Sequence, residues 1–270
     1  MLLYFVLAYA VTWSVWLAAR AAPAGGPRGV LLLLGTFAPG LIALGLTARR
    51  AGRPGVVVLL RRLVAWEVPG RWFVFALAYI AAIKLTAAGL HRLVTGTWPA
   101  FGAMPWYLML GATLLSTFVG GQTGEELGWR GYALPRLTAR FGLGRASLLL
   151  GALWASWHLP LFLFLPEADT FGQSFPLYLL QVMALSVAIA WLFASTRGSL
   201  LPVMLLHAAV NNTKDIVPSA EAGATNPWAL SHSLVAWFTV ALLWLCAGYF
   251  LVRMHRDPAL ARAVTAVAGD

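Results

Sequence analysis

Six side chains with chemistry to offer stand inside apolar stretches of this sequence. They come in three clusters: Glu125-Glu126-Leu-Gly-Trp-Arg130, Trp154-Ala-Ser-Trp-His158 and His207-Ala-Ala-Val-Asn211. An ionisable group at membrane depth is unfavourable by roughly 3 kcal/mol or more, so each is a functional candidate by default. Together they supply carboxylates, imidazoles, an amide and a guanidinium. That set is sufficient for amide-bond hydrolysis by general base and oxyanion stabilisation.

Helical spacing divides the roles. Glu126 and Arg130 are i, i+4 neighbours and face each other. Glu125 points about 140° away from Arg130 at 100° per residue. Glu126 is therefore expected to be neutralised by Arg130, with Glu125 left to face the bundle interior. His207 and Asn211 share one helix face, as do Trp154 and His158. Each cluster also has a purely structural account: a salt bridge anchoring a helix end, a satisfied core histidine, and a hydrogen-bonded pair joining two helices. Their joint occurrence favours a common site.

Two hydrolytic routes fit these residues. In one, Glu125 activates water, His207 and Asn211 receive the oxyanion, and His158 positions the water or the substrate carbonyl. In the other, His158, His207 and a glutamate hold zinc, which lowers the pKa of its bound water. Glu125 or Glu126 would be the third ligand and the other the base. The sequence has no HExxH helix. It has no Gly-x-Ser-x-Gly elbow or Walker loop either. Ser156 sits on a different helix face from His158, which argues against a Ser-His dyad.

The elements that must position these residues are membrane helices. Of 270 residues, 60% are hydrophobic and 10% charged, with mean hydropathy +0.78. Soluble domains carry about 25% charged residues. Apolar runs near 2–19, 29–48, 72–90, 105–123, 145–165, 175–195, 200–216 and 232–252 predict an all-α polytopic bundle of about eight spans. Helix is the required form, because lipid offers no partner for an open strand edge. The chain is expected to form one domain over 1–256, with the site on spans near 105–215. Residues 257–270 read as a short, loosely ordered, Ala-rich tail. No internal repeat is evident, which argues against a transporter built from duplicated halves.

The net charge of +10 is distributed in a way that excludes nucleic acid as the expected partner. Fourteen arginines fall on one side of an eight-span topology: Arg49, Arg50, Arg53, Arg61, Arg62, Arg71, Arg130, Arg136, Arg140, Arg145, Arg197, Arg253, Arg256 and Arg262. Arg20, Arg28, Lys84, Arg92 and Lys214 fall on the other side or within a span. This asymmetry puts both termini in the cytoplasm. Glu167, Asp169 and Glu221 fall on the outer side. Val56–Trp66 and Arg130–Phe141 read as basic, amphipathic surface helices drawn to anionic lipid. Pro39 and Pro160 predict kinks or opened hydrogen-bond ladders. Leu2–Leu17 lacks a basic leader and is too long for a cleaved signal. The single cysteine, Cys246, sits in the eighth span as an apolar thiol.

The motifs Glu125-Glu126-x-x-x-Arg130, Trp154-x-x-x-His158 and His207-x-x-x-Asn211, in this order, resemble the CAAX-protease and bacteriocin-processing (CPBP, or Abi) family of intramembrane proteases. The stretch Gly124–Leu137 also resembles that family, and the likeness covers about residues 105–215. Family motifs often have Phe where this chain has Trp129 and Trp154; both keep an aromatic ring. The resemblance implies an eight-helix membrane endopeptidase with a cavity open to the cytoplasm. It implies a catalytic group of Glu125, His158, His207 and Asn211, supported by Glu126 and Arg130, with zinc disputed. Eukaryotic relatives trim prenylated CAAX proteins, and bacterial ones are linked to bacteriocin maturation or immunity. The expected partners are the lipid bilayer and a membrane-associated peptide or protein, in a bacterial cytoplasmic membrane. The alternatives are a non-catalytic immunity or scaffold protein and a small-solute transporter using the same groups as a relay.

Overall fold

The computed structural model describes residues 1–165, 174–213, 216–218 and 226–268. The expected outer-side acids Glu167, Asp169 and Glu221, and also Lys214 and Asp215, lie outside them. Among the described residues the chain is helical, with no strand. Twelve helices are described: α1 (Leu2–Ala21), α2 (Gly26–Arg61), α3 (Arg71–Thr95), α4 (Trp106–Val119), α5 (Gln122–Glu126), α6 (Leu134–Phe141), α7 (Leu143–Trp157), α8 (Leu159–Leu163), α9 (Phe175–Ser195), α10 (Leu201–Thr213), α11 (Leu234–Arg256) and α12 (Pro258–Thr265). A π-helical turn, Leu127–Ala133, joins α5 to α6.

Among the described residues six helical stretches are long and apolar enough to cross a membrane: Leu2–Ala21, Gly26–Val64, Arg71–Thr95, Leu143–Leu163, Phe175–Ser195 and Leu234–Arg256. The protein is thus a polytopic membrane bundle. The other two expected spans are the short helices α4, with 14 residues, and α10, with 13. At 1.5 Å per residue each is only about 20 Å long, against the ~30 Å of a bilayer core. For the fourth span, α5 and the π turn supply the missing depth.

The helix ends meet in two sets. At one end, Leu200 N–H donates to the Arg62 carbonyl (2.9 Å), and Arg62 Nη2 reaches the Val267 carbonyl (3.0 Å). At the other, Gly102 N–H donates to Ile216 (3.2 Å) and Phe175 N–H to Pro227 (2.7 Å). Lys84, buried in α3, finds an internal partner there, as a buried ammonium must: Nζ donates to the Val217 carbonyl at 3.3 Å. The first end gathers the arginines.

The helix breaks follow from local chemistry. Proline has no N–H, so Pro39 leaves the Gly35 carbonyl without its helical donor. Thr12 of α1 fills that place, its hydroxyl donating at 2.9 Å, and α2 runs on without a break. The break in α2 comes instead at Gly52 (φ 63, ψ −161), two residues before Pro54. Pro160 acts as expected: α7 stops at Trp157 and α8 begins at Leu159, with His158 at the joint.

Three surface expectations are corrected. Arg130 does not sit at the surface as the start of a lipid-drawn helix, because it is fully buried. The segment expected as a lipid-facing helix is buried from Arg130 to Pro135, and only its far end, with Arg140 and Phe141, is exposed. The tail is not loose: Asp257 caps α12 by accepting from Ala259 N–H, and Val264 is completely buried.

Glycines fix how the site-bearing segment docks. Gly121, Gly124, Gly128 and Gly131 follow at intervals of three, four and three, giving one small-residue face. Such a face lets two helix backbones approach closely. A Cβ on Gly124 would lie 2.5 Å from Phe37 Cα, and one on Gly128 would lie 2.6 Å from the Pro39 carbonyl carbon. Gly128→Ala is therefore expected to lower the melting temperature sharply, since overpacking against rigid backbone is unfavourable by roughly 1–3 kcal/mol or more. Gly111→Ala is the control, with open space around it and a helix-propensity gain of about 1 kcal/mol. Thermal melts of the two variants in detergent should move in opposite directions.

Candidate active site

Glu125 and Glu126 leave the short helix α5 on different sides, as the spacing predicts. Both are buried, with 5% and 0% exposure. Glu126 Oε1 accepts from Arg130 Nη1 at 2.8 Å. The i, i+4 pairing thus survives the wider π turn. Arg130 Nη2 also donates to Ser186 Oγ at 3.3 Å, and Ser186 donates to the Ser147 carbonyl at 2.9 Å. The guanidinium is thereby tied to α7 and α9.

The same Glu126 oxygen accepts a second bond, from His207 Nδ1 at 2.8 Å. His207 therefore carries a proton on Nδ1, because a carboxylate oxygen only accepts. His158 is fixed likewise: its Nδ1–H donates to the Trp154 carbonyl at 2.9 Å. The neutral His158 ring then presents Nε2 as a bare acceptor.

Trp154 links the three clusters. Its Nε1–H donates to Glu125 Oε2 at 2.7 Å. The Arg130 guanidinium lies over its ring at 4.2 Å, close enough for a cation–π interaction. Its ring also meets His207 edge-on at 5.0 Å and His158 at 6.1 Å. Packing against the imidazole was legible from the i−4 spacing; the bond to Glu125 was not.

Glu125, His158, His207 and Asn211 line one cavity of about 240 Å3, with Trp154 and Tyr178. The sequence reading did not single out Tyr178. Its ring lies 5.3 Å from that of His158, at 68°. No motif marks it; an aromatic three residues into an apolar helix looks like ordinary packing. Trp16 of α1 also lines the cavity, so the first helix is part of the site.

Gly124, beside Glu125, abuts Phe37 and Gly40, near the middle of the straight part of α2. From there the cavity lining runs to Trp16, Leu161 and Tyr178, toward the end away from the arginines.

Among the described residues no three His, Cys, Asp or Glu side chains gather as a metal-binding set. Glu125, His158 and His207, grouped from sequence as possible zinc ligands, are not gathered as such a set.

Residues 105–213 match the family described as Type II CAAX prenyl endopeptidase Rce1-like. By this segment, about two fifths of its length, the chain is similar to CAAX proteases. A relative from Methanococcus maripaludis, described as CAAX prenyl protease 2, is 33% identical over 101 residues. That alignment spans 35% of this chain and 37% of the relative, so this chain covers little more than a third of the relative's length. The matched segment takes in α4 to α10, which carry all three polar clusters. The glycine face on α5 and the π turn lies within it too. That face was legible in the sequence as small residues at helical spacing, a signal the motif reading passed over.

Proposed function

We propose that this protein is an intramembrane endopeptidase that cleaves a peptide bond of a membrane-associated protein or peptide. The observation that carries this reading is the single cavity shared by Glu125, His158, His207 and Asn211. Glu125, oriented by the Trp154 N–H, takes a proton from water. His158 Nε2 accepts the other hydrogen of that water and holds it toward the substrate. The water oxygen attacks the scissile carbonyl. His207, with Nε2 protonated, and the Asn211 amide then stabilise the oxyanion. Glu126 supports the charge on the His207 ring, and Arg130 holds the Glu126 side chain in place. Glu125 finally delivers its proton to the leaving amine.

The membrane is proposed to be a bacterial cytoplasmic one, with the arginine-rich end inside. The name of the archaeal relative makes a prenylated peptide ending in a CAAX sequence the first substrate to test. Purified protein in liposomes should cleave such a quenched-fluorescent peptide and keep its activity in the presence of a zinc chelator. Absence of cleavage of that peptide and of its unprenylated and acylated counterparts would sink the protease reading. Loss of activity to the chelator, restored by zinc, would replace the metal-free step.

Trp154→Phe separates packing from hydrogen bonding, because Phe keeps a ring but has no N–H. A hydrogen bond to a charged group contributes about 1.5–3 kcal/mol. We expect kcat to fall about tenfold or more, with KM little changed and the protein still folded. Steady-state kinetics in the same liposomes would check it.

A further inference from the structure

The arginine-rich end holds a second cavity that the proteolytic site does not use. A crevice of about 580 Å3 opens between the α2–α3 connection and the α9–α10 turn. Arg62, Arg71 and Arg197 line it, with Glu67 the acid among its lining residues. Its walls are tied together across the chain. Ser199 Oγ donates to the Ala65 carbonyl at 2.6 Å, and Leu200 N–H donates to that of Arg62 at 2.9 Å. Arg71 is steadied over the Trp72 ring at 5.2 Å.

Arg197 is the non-glycine residue described with positive φ, at 52°. That left-handed conformation suits glycine far better than arginine. Backbone strain at a ligand-facing residue is a pointer to function. The crevice also lies at the ends of two apolar helices, where α3 begins at Arg71 and α9 ends at Ser195, the level at which a spanning helix meets headgroups. Beside it, past the Gly52 bend, Val64 and Trp66 are 61% and 71% exposed. Exposed aliphatic and indole groups next to arginines suit the boundary between headgroups and acyl chains.

We infer that this crevice binds the phosphate headgroup of an anionic phospholipid. Guanidinium groups match phosphate oxygens in paired hydrogen bonds, and Arg71 and Arg197 against the Glu67 carboxylate leave net positive charge for an anion. The apolar rim favours a lipid over free phosphate, because acyl chains cover Val64 and Trp66 while an inorganic ion leaves them in water.

The test uses the purified full-length protein in detergent, with phosphatidylglycerol and phosphatidylcholine titrated by native mass spectrometry. Phosphatidylglycerol should be retained, phosphatidylcholine should not, and millimolar inorganic phosphate should not displace the bound lipid. Arg197→Gly removes a guanidinium and relaxes the backbone at one stroke. It should weaken phosphatidylglycerol binding, and Arg71→Gln with Arg197→Gly should weaken it by about tenfold or more. Without lipid, the melting temperature of Arg197→Gly should be unchanged or higher. Equal retention of the two lipids, wild-type affinity in the double variant, or full displacement by inorganic phosphate would each overturn the inference.

Discussion

Glu125→Gln is expected to lower kcat by about 10²–10⁴ while leaving the melting temperature unchanged or higher. Gln keeps the shape of the side chain and an oxygen that can accept the Trp154 N–H, now 2.7 Å from Glu125 Oε2. It cannot take a proton from water. The fold loses nothing from the change, because a carboxylate with 5% exposure is replaced by a neutral group that is easier to bury. A residue with only a structural role would show the opposite pattern, with stability falling and activity following it. Rates in liposomes and melts in detergent, taken on one preparation, decide between them. Wild-type turnover in the glutamine variant would remove Glu125 as the base.

Arg130→Met is expected to destabilise the protein by about 3–5 kcal/mol, because it strands the Glu126 carboxylate in a buried position. Both partners have no exposed side-chain surface, and they are 2.8 Å apart. Much of that loss should return in the double variant Glu126→Gln with Arg130→Met, since no unpaired charge is left. Activity should not return with it. Glu126 is also the acceptor of His207 Nδ1–H, and a neutral glutamine no longer supports charge on the imidazole. The expected outcome is thus a double variant that melts near wild type and turns over at least about tenfold slower. If the double variant is as unstable as Arg130→Met alone, the buried charge is not what the arginine answers. If it is fully active, Glu126 has no part in orienting or charging His207.

Composition, arginine asymmetry and apolar run lengths were enough for an all-helical membrane bundle. Helical geometry was enough to pair Glu126 with Arg130 and to turn Glu125 away, because an angle of 100° per residue is a local property. The same rule put Trp154 near His158. What the sequence determined by itself is therefore everything within one helix turn or two.

Only the tertiary structure decided the rest. The expectation that Arg130 opens a surface helix failed because a buried, paired arginine reads like a surface one when its partners on other helices are not visible. The fourth span divides at Gly120 and Gly121, and Glu125 sits just before a π turn; how this segment docks depends on the glycine face that meets α2. Glu126 serving Arg130 and His207 together, Trp154 serving Glu125, and Tyr178 beside His158 all cross between helices. Apolar residues that face lipid and apolar residues that face a neighbouring helix look alike in sequence. Which helices meet, and at what depth, is set by packing that no single helix encodes.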